Sequence, residues 1–397
     1  MTVQQAEKIK KNNLPKWVLA LFPLVLLAGL VALFIALDPL SFFTGTFPPL
    51  EQLTIQRVLF PEKNQIQVSV INGGPHTITI AQVLVDDAYW QYEITPGNTL
   101  GRLEDATIQL TYPWVDGEPL PITLLTATGL TFTHEVEVAV TSPESSGASF
   151  LAYGLLGIYV GVIPVMLGML WYPFMRRIDR RWLSAILALT VGLLLFLFVD
   201  TVLEALEMAA ELPGVFQGVS LVIFGTLFSL GVLMAIGQRR GDHSPTGVAT
   251  LIALGIGLHN LGEGLAIGAA FATGAAALGS FLVIGFTLHN ITEGIGIAAP
   301  LVRGETPRIW TFAGLAVLAG APAMLGTWIG GYAFSPFLAV LFLSIGAGAI
   351  LQVIWEVGKL LLRDAQRLGQ PAVSWLNFAG ITAGILIMYL TAFMVKF

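Results

Sequence analysis

Two short runs hold the densest chemistry in the chain: His259-Asn260-Leu261-Gly262-Glu263-Gly264 and His289-Asn290-Ile291-Thr292-Glu293-Gly294. On a helix that turns about 100° per residue, positions i, i+1 and i+4 fall at about 0°, 100° and 40°, so each His, Asn and Glu shares one face. Imidazole nitrogen, amide oxygen and carboxylate oxygen form a borderline-hard ligand set suited to first-row divalent ions such as zinc, iron(II) or manganese. The plainer alternative pairs each His with its Glu as interior packing. Two such motifs in succession favour metal binding, because ionisable groups inside apolar segments are costly and mark function by default.

A second acidic element precedes them. Asp200, Glu204, Glu207 and Glu211 fall at about 0°, 40°, 340° and 20° on a helix, one stripe of carboxylates that concentrates cations at an entrance and adds ligands to the site. For Glu207 and Glu211 the reading as solvated rim residues carries equal weight, since exposed carboxylates are cheap. Glu356, four residues after Gln352, is a candidate for the exit path, with Lys359 or a loop Arg as its alternative partner. Asp242 and His243 are too few to make a metal-collecting loop, and His76 and His134 read as surface histidines.

The elements that position these residues follow from composition. Of 397 residues 55% are hydrophobic and 11% charged, against about 25% charged in soluble domains, so the chain reads as a polytopic α-helical membrane protein. The 43 Gly and 21 Pro fit that class. The lack of cysteine excludes disulfides and thiolate sites, and a net charge of -6 argues against nucleic-acid binding. Spans need roughly 20 apolar residues. One is expected at 17–37, as a signal-anchor helix after a cytoplasmic tail at 1–16. Eight more are expected at 150–172, 182–206, 215–237, 246–271, 276–301, 309–333, 336–361 and 372–395.

Between anchor and core, residues 38–149 change character. Alternating stretches such as Gln65-Ile66-Gln67-Val68-Ser69-Val70, punctuated by Asn72-Gly73-Gly74-Pro75 and Val115-Asp116-Gly117-Glu118-Pro119, predict a small all-β, immunoglobulin-like sandwich and a linker. The positive-inside rule then gives one threading, with the N-terminus cytoplasmic and the β domain outside a plasma membrane. All of the basic residues except Arg57, Lys63, Arg102 and Lys396 fall inside.

With these motifs in place, residues 150–397 resemble the ZIP family of divalent metal transporters. The resemblance rests on eight spans, the paired His-Asn-x-x-Glu-Gly motifs on the fourth and fifth, Glu204 in a Leu-Glu-Ala setting, and Gly-Ala-Ile-Leu-Gln-Val-Ile-Trp-Glu on the seventh. It implies an eight-helix core, cation uptake towards the cytoplasm by an elevator-like motion, and a homodimer. It places His259, Asn260, Glu263, His289, Asn290 and Glu293 on the family's metal-binding positions and Glu356 on its exit-side carboxylate. The metal, zinc first and iron(II), manganese or cadmium next, is expected as transported substrate; no cofactor and no enzyme activity are expected. Three departures stand out. Gly262 and Thr292 replace the family's usual Pro, which leaves the helix break weakened or supplied by Gly. Asp200 stands where relatives often carry a polar residue or His. The sixth span has no carboxylate, which implies one principal metal per subunit. Two other classes stay open: an intramembrane metalloenzyme, and a metal sensor whose outer β domain binds an unknown partner and gates the core.

Overall fold

The computed structural model describes residues 16–37, 50–144, 146–240, 244–273, 275–369, 371 and 374–395. Lys8, Lys10, Lys11, Asp242, His243 and Lys396, with most of the tail, lie outside them. Helix α1 (Lys16–Leu37) is a unit by itself, apolar along its length with Pro23 inside it. From Leu21 to Leu37 its side chains are exposed.

The second unit begins with nine strands: β1 (Leu53–Leu59), β2 (Gln65–Asn72), β3 (Ile78–Val85), β4 (Ala88–Trp90), β5 (Tyr92–Thr95), β6 (Thr99–Leu100), β7 (Asp105–Thr111), β8 (Leu120–Thr126) and β9 (Thr131–Val136). They pair antiparallel into two sheets, β1-β2-β7-β5 and β4-β3-β8-β9, with β6 beside β3. Alternation decides which side faces inward. Phe60, Ile66, Val68, Ile78, Ile108 and Leu124 are fully buried between the sheets. Phe60 closes against Trp114, with ring centroids 5.0 Å apart.

Eight helical segments long and apolar enough to span a membrane follow. The first is composite: α2 (Gly147–Gly157), a π-turn at Ile158–Val162, α3 (Ile163–Met169) and the short α4 (Tyr172–Met175). Then come α5 (Arg180–Ala210), α6 (Gly218–Arg240), α7 (Pro245–Ala272), α8 (Ala276–Ala298), α9 (Ile309–Ala333), α10 (Pro336–Leu368) and α11 (Trp375–Val395). Local chemistry sets several ends. Ser244 and Ser335 accept from the backbone N–H of Gly247 and Leu338, each with Pro at the first helical position. Gly369, at φ 61°, ends α10 in the left-handed conformation. Two helices outrun the expected spans: α5 continues through Glu207, and α10 through Arg367, because Glu, Leu and Arg are good helix formers outside the apolar run as well as inside it.

Helix α7 is the centre of the bundle. Of its most apolar stretch 78% is buried by the chain, against 17% for α11, and it packs chiefly on α9 and α10. A Cβ on Gly264 would collide with Ala323 O on α9, so glycine there sets backbone-to-backbone contact. The sandwich is tied to this bundle at the end where α9 finishes: Arg57 Nη2 donates to Gly331 O at 3.2 Å. Gln52 accepts from Gly214 N at 3.3 Å beside it.

Candidate metal centre

Helices α7 and α8 bring both motifs together in the interior. His259, Asn260, Glu263, His289, Asn290 and Glu293 are all buried. His259, His289 and Glu293 each offer a ligand atom, and these three atoms lie within 4.8 Å of one another. Ligand bonds of ~2.0–2.2 Å to one tetrahedral zinc ion set the ligand atoms roughly 3.3–3.6 Å apart, a spacing inside that limit. Beside His289 and Glu293, a gap of about 10 Å³ faces α5 and α11. That is the lower limit for one water-sized body.

Glu263 has a different position. Its Oε1 accepts from His259 Nε2 at 3.0 Å and from His289 Nε2, while its Oε2 accepts from Asn290 Nδ2 at 3.3 Å. It therefore brackets both imidazoles from one side, and Glu293 closes the group from the other. The two carboxylates differ in what they lack. Both oxygens of Glu293 are buried without a hydrogen bond, as are Asn260 Oδ1 and Asn290 Oδ1. Asn260 faces the Glu293 carboxylate without hydrogen-bond geometry. Buried acceptors left unpaired cost roughly 1–3 kcal/mol each, more for charged groups, and four here share one neighbourhood.

Asn290 is aimed by a backbone irregularity in the first span, which the motif spacing does not reveal. Pro164 has no N–H, so Val160 O lacks its regular helical donor, and the chain relaxes into the π-turn at Ile158–Val162. Asn290 Nδ2 donates to that Val160 O at 3.0 Å. Asn260 Nδ2 donates to Ala319 O at 3.0 Å, on α9 next to Leu318, whose own carbonyl loses its donor to Pro322. Each amide is thus held by its nitrogen on a neighbouring helix. The helices that carry the motifs run unbroken through Gly262 and Thr292, so no break sits at the positions where the sequence reading looked for one. The prolines that matter, Pro164 and Pro322, were visible signals one helix away.

The acidic stripe divides along its length. Asp200 lies in electrostatic range of His289, and Glu204 of His259 and Glu263. Glu204 is exposed. Glu207 is exposed next to it. Glu211 lines a cavity of about 820 Å³ between the end of the bundle and strands β1 and β9, with Arg57 and His134 on its other wall. Partial desolvation lowers the His134 pKa from its ordinary value, opposed by nearby Glu211.

Below the cluster on α10, Gln352 is buried with its Oε1 unpaired, against Gly255 of α7. Glu356, also buried, accepts from Lys359 Nζ at 2.7 Å. The alternative pairing weighed for Glu356 is therefore the one seen here, and Gln352 is the free polar group on that side of the cluster.

No family model matches the chain, and no curated protein matches it. Among solved structures, the archaellum periplasmic stator protein FlaG from Sulfolobus acidocaldarius is similar over 22% of this chain and 100% of that one, at 17% identity and a TM-score of 0.20. Nothing about site or function is carried over from it.

Proposed function

We propose that the chain is a ZIP-type transporter that moves divalent transition-metal cations, zinc foremost, across the plasma membrane towards the cytoplasm. One observation carries the reading: His259, His289 and Glu293 converge within 4.8 Å inside a bundle of apolar spans, where unpaired buried oxygens seek a cation. In this reading the N-terminus is cytoplasmic, α1 anchors the chain, the β domain stands outside and the unit is a homodimer. The sheet order β1-β2-β7-β5 against β4-β3-β8-β9 supports an immunoglobulin-like type for that domain.

The route follows the residues in turn. Cations are drawn past Glu211, Glu207 and Glu204, where a stripe of one sign raises local concentration. Asp200 and Glu204 hand the ion to the imidazoles. A cation needs an unprotonated nitrogen on His259 and on His289, since a nitrogen that carries a proton has no lone pair to give, and the Glu263 carboxylate that faces both rings is placed to accept a displaced proton. Glu293 and the two asparagine oxygens supply the remaining donors. Release runs past Gln352 and then Glu356, where the Lys359 ammonium competes for the carboxylate and keeps the exit weak.

A shell of exchangeable nitrogen and oxygen donors with no thiolate suits passage better than permanent holding. The test is uptake of zinc into proteoliposomes, with iron(II), manganese and cadmium as competitors and elemental analysis of the purified protein. Glu293→Ala should abolish uptake while its thermal unfolding stays within a few degrees of the parent. Undiminished uptake in both Glu293→Ala and Glu263→Ala overturns the proposal. A redox-active metal that stays bound through turnover would revive the metalloenzyme.

A further inference from the structure

One feature of the sandwich shares no residue with the metal cluster. Where β4 and β5 form the edges of the two sheets, the sandwich holds an open groove of about 1220 Å³. That exceeds the ~300–1,000 Å³ of a typical small-molecule pocket, so it fits several units of a chain-like ligand. Its floor is an amide row. Gln67 and Gln109 are direct cross-strand partners, and Gln109 is the partner of Glu93 on the next strand, so the three side chains stand abreast across β2, β7 and β5. Strand spacing sets them roughly 4.8 Å apart. Gln65 extends the floor, and Gln82 and Gln91 come in from the wall.

The wall is aromatic. Tyr89 is 67% exposed, with its ring free to stack on whatever enters. Trp90 packs edge-on against Tyr112 with centroids 4.9 Å apart, and Tyr92 is tethered by its hydroxyl to Ile80 O at 3.1 Å. Both of these rings pack against the sandwich core, so the backbone beside Tyr89 is held before any ligand arrives, which lowers the entropy cost of binding. Among the described residues no Lys or Arg lines the groove, and Glu93 is the one carboxylate.

From this combination we infer that the outer sandwich binds a neutral oligosaccharide chain. Each Gln amide offers an acceptor oxygen and two donor hydrogens, matching hydroxyls that both give and take hydrogen bonds. The exposed Tyr89 ring covers the apolar C–H side of a sugar ring. The absence of cationic side chains disfavours phosphorylated, sulfated or uronic-acid polymers. An extended peptide is the rival occupant, since β4 and β5 are sheet edges. A strand added there would use backbone pairing and leave the amide row idle.

The experiment uses the full chain in lipid nanodiscs, titrated calorimetrically with neutral hexasaccharides of glucose, mannose, galactose and N-acetylglucosamine. A sulfated glycan, a polyuronate and an extended neutral peptide serve as comparisons. At least one neutral hexasaccharide should bind with a Kd near or below about 1 mM. Tyr89→Ala and Gln109→Ala, both exposed and remote from the core, should each weaken it by a few-fold to about tenfold. Zinc uptake in the same variants should stay unchanged, which keeps this result separate from the transport proposal. The inference is overturned if no neutral hexasaccharide binds, if binding survives the double variant, or if only the peptide or the charged glycans bind.

Discussion

In the sandwich, Ile66, Val68, Ile108 and Leu124 point inward while Gln65, Gln67 and Gln109 face out. In the bundle, α7 turns His259, Asn260 and Glu263 inward, whereas α6 presents Ile223, Phe224, Leu227 and Phe228 outward. The same chain thus solves two solvents. Facing water, burial of large apolar groups drives association. Facing hydrocarbon, that force vanishes between helices, and close packing of small residues with internal polar contacts takes over.

Four substitutions test this contrast. Gly264→Val should be the most damaging, because the added side chain collides with Ala323 O where α7 meets α9. The bulk meets backbone that cannot yield, so α7 and α9 must part, and purified protein should lose its monodisperse elution profile. Ile108→Ala, a cavity in the sandwich, should cost ~2–5 kcal/mol and act locally. Hydrogen exchange should rise across residues 53–136 while amides of α7 and α9 stay protected. If both variants destabilise the two regions equally, the contrast fails.

Asn290→Ala removes the amide that joins Val160 O to Glu263. As a ligand-orienting change it should lower zinc affinity about 10–100-fold, measured by equilibrium binding, with little effect on folding. The smallest effect belongs to His134. Its pKa is lowered by desolvation, so the unfolded chain binds the proton more readily, and the sandwich should lose a little stability as pH falls below about 6.5. His134→Gln should flatten that slope in thermal melts.

Much of the frame was legible because it depends on period alone. Apolar runs mark α5 to α11, and the alternation of Gln65 to Val70 marks β2. The shared face of His259, Asn260 and Glu263 follows from helical pitch. Even the Glu356–Lys359 pair was readable, as neighbours three residues apart. Contacts between helices were not. That Glu263 joins both imidazoles depends on how α7 and α8 are rotated, and that Asn290 reaches Val160 O depends on a first span that is not one regular helix. Pro164 stood in the sequence as a kink signal, but its freed carbonyl gains meaning only when the partner amide is known. Arg57 reads as an ordinary surface cation until Gly331 O lies across from it.

The π-turn at Ile158–Val162 stores one residue more than a regular helix would need. A gene that lost a single codon in this stretch could still write an apolar helix of adequate length. Everything towards Gly147 would then swing by about 100° about the helix axis. Tyr153 O would no longer face Thr327 Oγ1, nor Phe150 O the Trp328 indole, which they now accept from at 2.7 and 2.9 Å. Substitutions in this span can be conservative one at a time, but its length cannot drift. The count of residues between Gly147 and Pro164 is itself inherited information.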